Sequence, residues 1–310
     1  MNAIHKTAAA PGARFGPVPD LVLGEDELLL KVHRASICGS DLPIYHWTGW
    51  APARVKPPMV FGHEFCGTVA ELGRKTAGFR KGDFVSVESH IYCDRCSQCR
   101  SGQRHVCLEM KIIGVDGPGG FGEFAAIPAR CAWKHKNRKL RDAGSLLEPL
   151  GNAVFSVLAE PVEGLSVLVL GCGPQGLFCA AVAKASGART VVAVEGSAYR
   201  AKLARRMGAS AVVDPREPDP LGKVLKAGRC PDGFDAVLEM SGNPAAIALG
   251  LKAVRNGGRV TAFGIPAAKV ELDWANDVIF KGIRIHGIVG RKVFETWVVM
   301  QELLDSGKVD

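Results

Sequence analysis

Two patterns of apolar residues divide the chain. From Gly151 to about Gly290, runs that are apolar at nearly every position alternate with segments whose apolar residues recur at helical spacing. The first run, residues 165–170, leads through a glycine turn, Gly171-Cys-Gly173-Pro174-Gln175-Gly176, into a helical pattern that ends at Gly187. Residues 190–194 form a second run, with Glu195 at its end. Short, continuous apolar runs suit strands buried on both faces of a parallel sheet. Beyond them, Ser197 predicts the cap of a helix through Met207 that stops at Gly208. Residues 211–213, 234–240, 258–263 and 283–289 read as strands, and 220–227 and 243–254 as helices, with a turn-rich connector at 215–220. This alternation predicts an α/β unit built on a doubly wound parallel sheet with right-handed crossovers. Residues 1–148 read otherwise. They are dense in Gly and Pro, helical periodicity is scarce, and apolar runs at 27–37, 60–72, 83–88 and 122–128 predict a β-rich domain with long loops.

The glycine turn stands where a dinucleotide fingerprint requires it, between a strand and a helix, with an acid at the end of the next strand. Gly171 permits the tight turn, Gly173 lets backbone approach a pyrophosphate, and Gly176 lets the helix pack closely with its N-terminal amides toward the phosphates. Pro174 and Gln175 lie within that cradle. Glu195 would accept hydrogen bonds from the adenosine ribose and repel a 2′-phosphate, favouring NAD over NADP. Arg200, five residues on, either touches the cofactor and weakens that preference or is an exposed charge on the following helix.

At 310 residues and 47% hydrophobic content, the chain can fill two domain cores. Its net charge of +8 is scattered rather than striped, so nucleic-acid binding is not indicated. The one dense basic run, residues 134–141, reads as a solvated loop. The first ten residues lack a secretory signal, and no run is long enough to span a membrane, so a cytoplasmic protein is expected. Four of the ten cysteines fall in one segment as Cys93-x2-Cys96-x2-Cys99-x7-Cys107. Thiolates so close can close a tetrahedral site around a structural zinc. An iron–sulfur cluster is the other reading, but the bacterial ferredoxin run has a different spacing and a following proline. Cys172, Cys179 and Cys230 read as small packing residues.

Cys38 in Ile-Cys-Gly-Ser-Asp and the pair His63-Glu64 in Gly-His-Glu-Phe-Cys-Gly are dispersed, and spacing alone makes none of them a ligand. Taken together with the cysteine loop and the glycine turn, in this order, they make the chain resemble the zinc-dependent medium-chain dehydrogenases. Within that family, Glu148-Pro-Leu-Gly-Asn-Ala-Val154, Leu238-Glu-Met-Ser-Gly242, Phe263-Gly264-Ile265-Pro266, residues 278–282 and residues 290–297 are similar to the branch that oxidises the 3-hydroxyl of L-threonine. The resemblance implies a GroES-like catalytic domain (1–150), an NAD-binding Rossmann domain (151–290), a return toward the catalytic domain from 291 and a homotetramer. It implies Cys38, His63 and Glu148 as ligands of a catalytic zinc, with Glu64 a fourth or exchangeable ligand, and thus two zinc ions per chain. Gly264 and Ile265 would join the cofactor site. Ser40 would take the alcohol proton, which the family passes on to a histidine. Here that position is Pro43, and His46 or His90 is the possible substitute. A lost general base typically costs roughly 100- to 10,000-fold. A sorbitol-like polyol or vicinal-diol dehydrogenase is the alternative enzyme, and a catalytically inert NAD-binding protein the alternative of another class. Family members continue past the position of Asp310, which makes the chain an expected fragment.

Overall fold

The computed structural model describes residues 1–136 and 140–309, so the middle of the basic run at 134–141 lies outside the described residues. The chain divides into two compact units between Glu148 and Pro149. Among the described residues no helix is long and apolar enough to cross a membrane.

The first unit is a set of mainly antiparallel strands joined by long loops. Its strands are β1 (Asn2–Lys6), β2 (Arg14–Pro17), β3 (Glu27–Ser36), β4 (Met59–Val60), β5 (Glu64–Leu72), β6 (Phe84–Val87), β7 (His90–Ile91), β8 (Lys111–Ile112), β9 (Phe124–Pro128) and β10 (Ala132–Lys134). Five of them form the main sheet in the order β10-β6-β5-β3-β9. Alternation along β3 puts Leu28 and Leu30 into a core with Phe65, Val69, Val85, Val87 and Ile127. Short helices α1 (Asp41–His46), α2 (Ala51–Arg54) and α3 (Ser97–Arg100) sit in the loops.

One expected strand is broken. The apolar run at 60–72 splits into β4 and β5 because Gly62 turns the chain through φ = +89°, and the missing side chain makes room for the Phe121 ring, 2.5 Å from where a Cβ would stand. The break leaves His63 immediately before β5. A helix that apolar spacing did not reveal, α4 (Leu147–Val157), carries Glu148 in its first turn.

The second unit is a parallel six-stranded sheet in the order β13-β12-β11-β14-β15-β16. Its strands are β11 (Ser166–Leu170), β12 (Thr190–Val194), β13 (Ala211–Val213), β14 (Phe234–Glu239), β15 (Val254–Ala262) and β16 (Arg284–Gly287). Every residue of β11 is buried, as a central parallel strand covered on both faces requires. Helices α5 (Pro174–Ala185), α6 (Ala198–Arg206), α7 (Pro220–Gly228), α8 (Pro244–Ala253) and α9 (Glu295–Asp305) complete the unit. Ser197 accepts the Arg200 amide and Asn243 the amides of Ala245 and Ala246, caps worth about 1 kcal/mol each. The boundary expected at 254 shifts: α8 ends at Ala253 and Val254 already opens β15. A π-helical turn, Trp274–Ile279, precedes β16 and was not foreseen. Strand order reverses between β11 and β14, the switch point at whose carboxyl ends open α/β sheets bind ligands.

Candidate active site

Two short segments of the first unit converge. Cys38 lies just past the end of β3, where its amide donates to Asp41 Oδ2 (2.8 Å) and its carbonyl accepts the Asp41 amide. His63 follows the Gly62 break and Glu64 opens β5. Their sulfur, imidazole and carboxylate ligand atoms all lie within 4.8 Å of one another.

Each donor has a polar partner behind it. Ser36 Oγ donates to Glu64 Oε2 at 2.6 Å, and Ser89 Oγ to Glu148 Oε1 at 2.7 Å. Ser40 Oγ stands 3.4 Å from His63 Nε2. Asp41 Oδ1 stands 3.5 Å from His63 Nδ1, too far for a well-formed hydrogen bond, and both buried atoms lack another partner. Glu148 belongs to the same electrostatic neighbourhood, because its charge acts on both His63 and Glu64. Burial opposes a charged His63, but Asp41, Cys38 and Glu148 outweigh it and lift the imidazole well above its ordinary value. Burial raises the Glu64 carboxyl, with the like charge of Glu148 adding to it. Crowded acids around soft and borderline donors are a demand for a cation, and the S, N, O set suits zinc.

The four cysteines gather as well, with all four sulfurs within 4.8 Å of one another. Backbone amides point at these sulfurs: Cys96 to Cys93 (3.3 Å), Cys93 and Glu109 to Cys107 (3.3 Å each), and Cys99 to Cys96 (3.5 Å). The Cys99 amide, more than any other group, pulls Cys96 down to about 6, whereas burial pushes Cys99 up to about 12. All the described cysteines are free thiols, and the four of this cluster could together hold a metal ion.

Neither histidine considered in place of the relay joins the cluster of Cys38, His63 and Glu64. His90 is buried in β7, with its Nδ1 and its amide both 2.9 Å from Glu88 Oε1. His46 is exposed at the end of α1, edge-on to Tyr45. Pro43 sits within α1 and its carbonyl accepts the Thr48 amide at 3.0 Å.

In the second unit, the glycine turn links β11 to α5. Gly171 has φ = +85°, and a Cβ on Gly176 would lie 1.8 Å from the Gly171 carbonyl oxygen. A Cβ on Gly173, by contrast, would meet nothing within 4 Å. Gly173 is the N-cap of α5 and no side chain caps the helix, so the amides of its first turn have no side-chain acceptor there. The Gln175 Oε1 atom is buried without a partner. This is the cradle a pyrophosphate needs. Glu195 braces the turn, its Oε2 accepting the Cys172 amide (2.9 Å) and its Oε1 the Ser197 amide (2.8 Å). Each carboxylate oxygen retains a lone pair for a ribose hydroxyl. Arg200 is exposed on the first turn of α6. Burial pushes the Cys172 thiol up to about 12, with Glu195 adding to the effect and Arg200 opposing it, so both charges are felt at the turn. Gly264 donates its amide to the Glu239 carbonyl at 3.1 Å, and Ile265 is 92% exposed beside it.

Sequence reading did not assign roles to Asp41, Ser36, Ser89 or Glu239. Asp41 stood in a quoted motif and was recoverable from it. Glu239 accepts the amides of Ser241 (2.9 Å) and Gly242 (3.1 Å), fixing the turn against which Gly171 packs. Like Asp41, it stood in a quoted motif, Leu238-Glu-Met-Ser-Gly242, and at the end of a buried strand.

Family models for the alcohol dehydrogenase GroES-like domain and the zinc-binding dehydrogenase match residues 24–137 and 174–306. L-threonine 3-dehydrogenases from Bacillus velezensis and Pyrococcus abyssi are each 46% identical to this chain, over 100% of it and 89% of their own length. A zinc-binding dehydrogenase from Sinorhizobium meliloti, solved with NADP, superposes with a TM-score of 0.89 at 29% identity, over 100% of this chain and 89% of that one. The 2R,3R-butanediol dehydrogenase of Bacillus subtilis gives a TM-score of 0.88 at 26% identity, over 98% and 88%.

Proposed function

The chain belongs to the zinc-binding medium-chain alcohol dehydrogenases, and from that premise we propose that it oxidises the 3-hydroxyl of L-threonine to give 2-amino-3-oxobutyrate, with NAD as hydride acceptor. The observation that carries the substrate is 46% identity to L-threonine 3-dehydrogenases over the whole of this chain.

Cys38, His63 and Glu148, with Glu64 as an exchangeable fourth, are the residues that hold the catalytic zinc. The ion supplies Lewis acidity, lowering the pKa of the substrate hydroxyl toward neutrality. Asp41 orients His63 and, through the Cys38 amide, the turn that carries the thiolate. Ser40 lies beside His63 and accepts the alcohol proton. Pro43 carries no proton, so the proton leaves Ser40 for water. Gly171, Gly173, Pro174, Gln175 and Gly176 cradle the dinucleotide, with Gly264 and Ile265 completing its site, and the nicotinamide supplies the hydride acceptor. Glu195 selects a free ribose over a 2′-phosphate, and Arg200 lies close enough to temper that choice. Cys93, Cys96, Cys99 and Cys107 hold a second, structural zinc, for two ions per chain.

A cytoplasmic homotetramer completes the proposal. In support, β16 ends the sheet, and Ile285, Trp274, Ile279 and Phe280 near it are exposed.

The test is to incubate zinc-loaded protein with NAD and L-threonine while following absorbance of the reduced cofactor. Turnover with threonine above that with sorbitol or 2,3-butanediol is expected. Pro43 favours one second reading, a vicinal-diol or polyol dehydrogenase, and turnover with those alcohols alone would establish it.

A further inference from the structure

The Ser36 hydroxyl has one proton and two acceptors in reach. Glu64 Oε2 is 2.6 Å away and the carbonyl oxygen of Ser145 is 3.3 Å away. These acceptors belong to different parts of the site. Ser36 faces Glu64 across the β3–β5 ladder, and Ser145 lies in the 3-10 turn Gly144–Leu146 that leads directly into α4 and Glu148. The short bond to Oε2 ties one oxygen of the carboxylate to β3, and a carboxylate oxygen of Glu64 lies within 4.8 Å of the ligand atoms of Cys38 and His63. When Glu64 shifts, the proton can swing to Ser145, so the hydroxyl is not left unpaired in a half-buried site. An unpaired hydroxyl there would resist the movement.

We infer that Ser36 is a positioning residue that restrains Glu64 to single-oxygen contact with the metal and lets it be displaced by substrate, using the Ser145 carbonyl as its alternate acceptor. The inference rests on the proposed catalytic zinc but not on the identity of the alcohol. Without the hydroxyl, both oxygens of Glu64 are available to the ion, and an incoming alcohol competes with a tighter ligand. Loss of a partner of this kind changes metal affinity or activity by about 10- to 100-fold.

The test uses the full chain with cobalt(II) in the catalytic site, whose visible absorption reports coordination without turnover. Ser36→Ala is expected to weaken and shift that absorption in the absence of alcohol, as ligand number rises. It should also raise KM for the alcohol roughly tenfold, leaving KM for NAD unchanged. Ser36→Thr, which keeps the hydroxyl, should restore both. In a Glu64→Gln background, Ser36→Ala should add nothing. An unchanged spectrum in folded Ser36→Ala, or a shift that persists in Glu64→Gln, overturns the inference. Failure of threonine as substrate with the spectral shift intact would overturn only the choice of alcohol. A wild-type chain that takes no cobalt beside Cys38 and His63 would overturn both the inference and the catalytic-zinc reading.

Discussion

The cysteine loop and the cluster of Cys38, His63 and Glu64 each gather their ligand atoms within 4.8 Å, but are built in opposite ways. Cys93 to Cys107 is one segment, and its sulfurs are bound by backbone amides that cannot be withdrawn without unfolding the loop. The other set draws Cys38 and the pair His63-Glu64 from separate segments, with Glu148 in their electrostatic neighbourhood, and backs its donors with side chains, Ser36, Asp41 and Ser89, that can rotate. Backbone support fixes a site; side-chain support lets a donor move. A uniform thiolate shell suits an ion that only holds structure, and a mixed shell with crowded carboxylates suits one that must exchange a ligand for substrate.

The contrast can be broken most severely at the loop. A structural zinc contributes on the order of 10 kcal/mol, comparable to the whole stability of a domain. Cys99→Ser should therefore lower the melting temperature sharply and remove one zinc per chain, as calorimetry and metal analysis would read. A stable, folded variant would mean the loop needs no metal. His63→Ala should do the reverse, costing about a thousandfold or more in turnover with little change in melting temperature. Pro43→His would sharpen the role of Ser40. A proton carrier there should raise kcat by up to about 100-fold. Because a base works when deprotonated, the gain should appear as pH rises through about 6.5; a flat profile would argue that Ser40 already discharges its proton efficiently. The smallest effect is expected at Asp41→Asn, where zinc affinity at the dispersed site should fall about tenfold without touching the loop. Competition with a chelator would measure it.

Legibility in the sequence followed the same division. The cysteine spacing and the β11–turn–α5–β12 unit were readable because each is a local pattern. The cluster's donors were readable only by resemblance, since nothing local joins Cys38 to His63. The break at Gly62 was hidden inside an apolar run, because whether a glycine bends a strand depends on what fills its space, here Phe121 from a distant loop. Helix α4 was missed because Pro149 and Gly151 disguise its apolar spacing. Ser36 was invisible as a partner of Glu64, since that contact is set by the register of two strands 28 positions apart.

Graded removal of zinc, with metal content, turnover and melting temperature followed on one sample, separates the two regions most directly. The chain should start with two zinc ions. The first to leave should take all turnover with it while the melting temperature holds, and the second should take the fold of the first unit. A single zinc per chain, or turnover that outlasts the first ion lost, would contradict the division between an exchangeable catalytic site and a closed structural one.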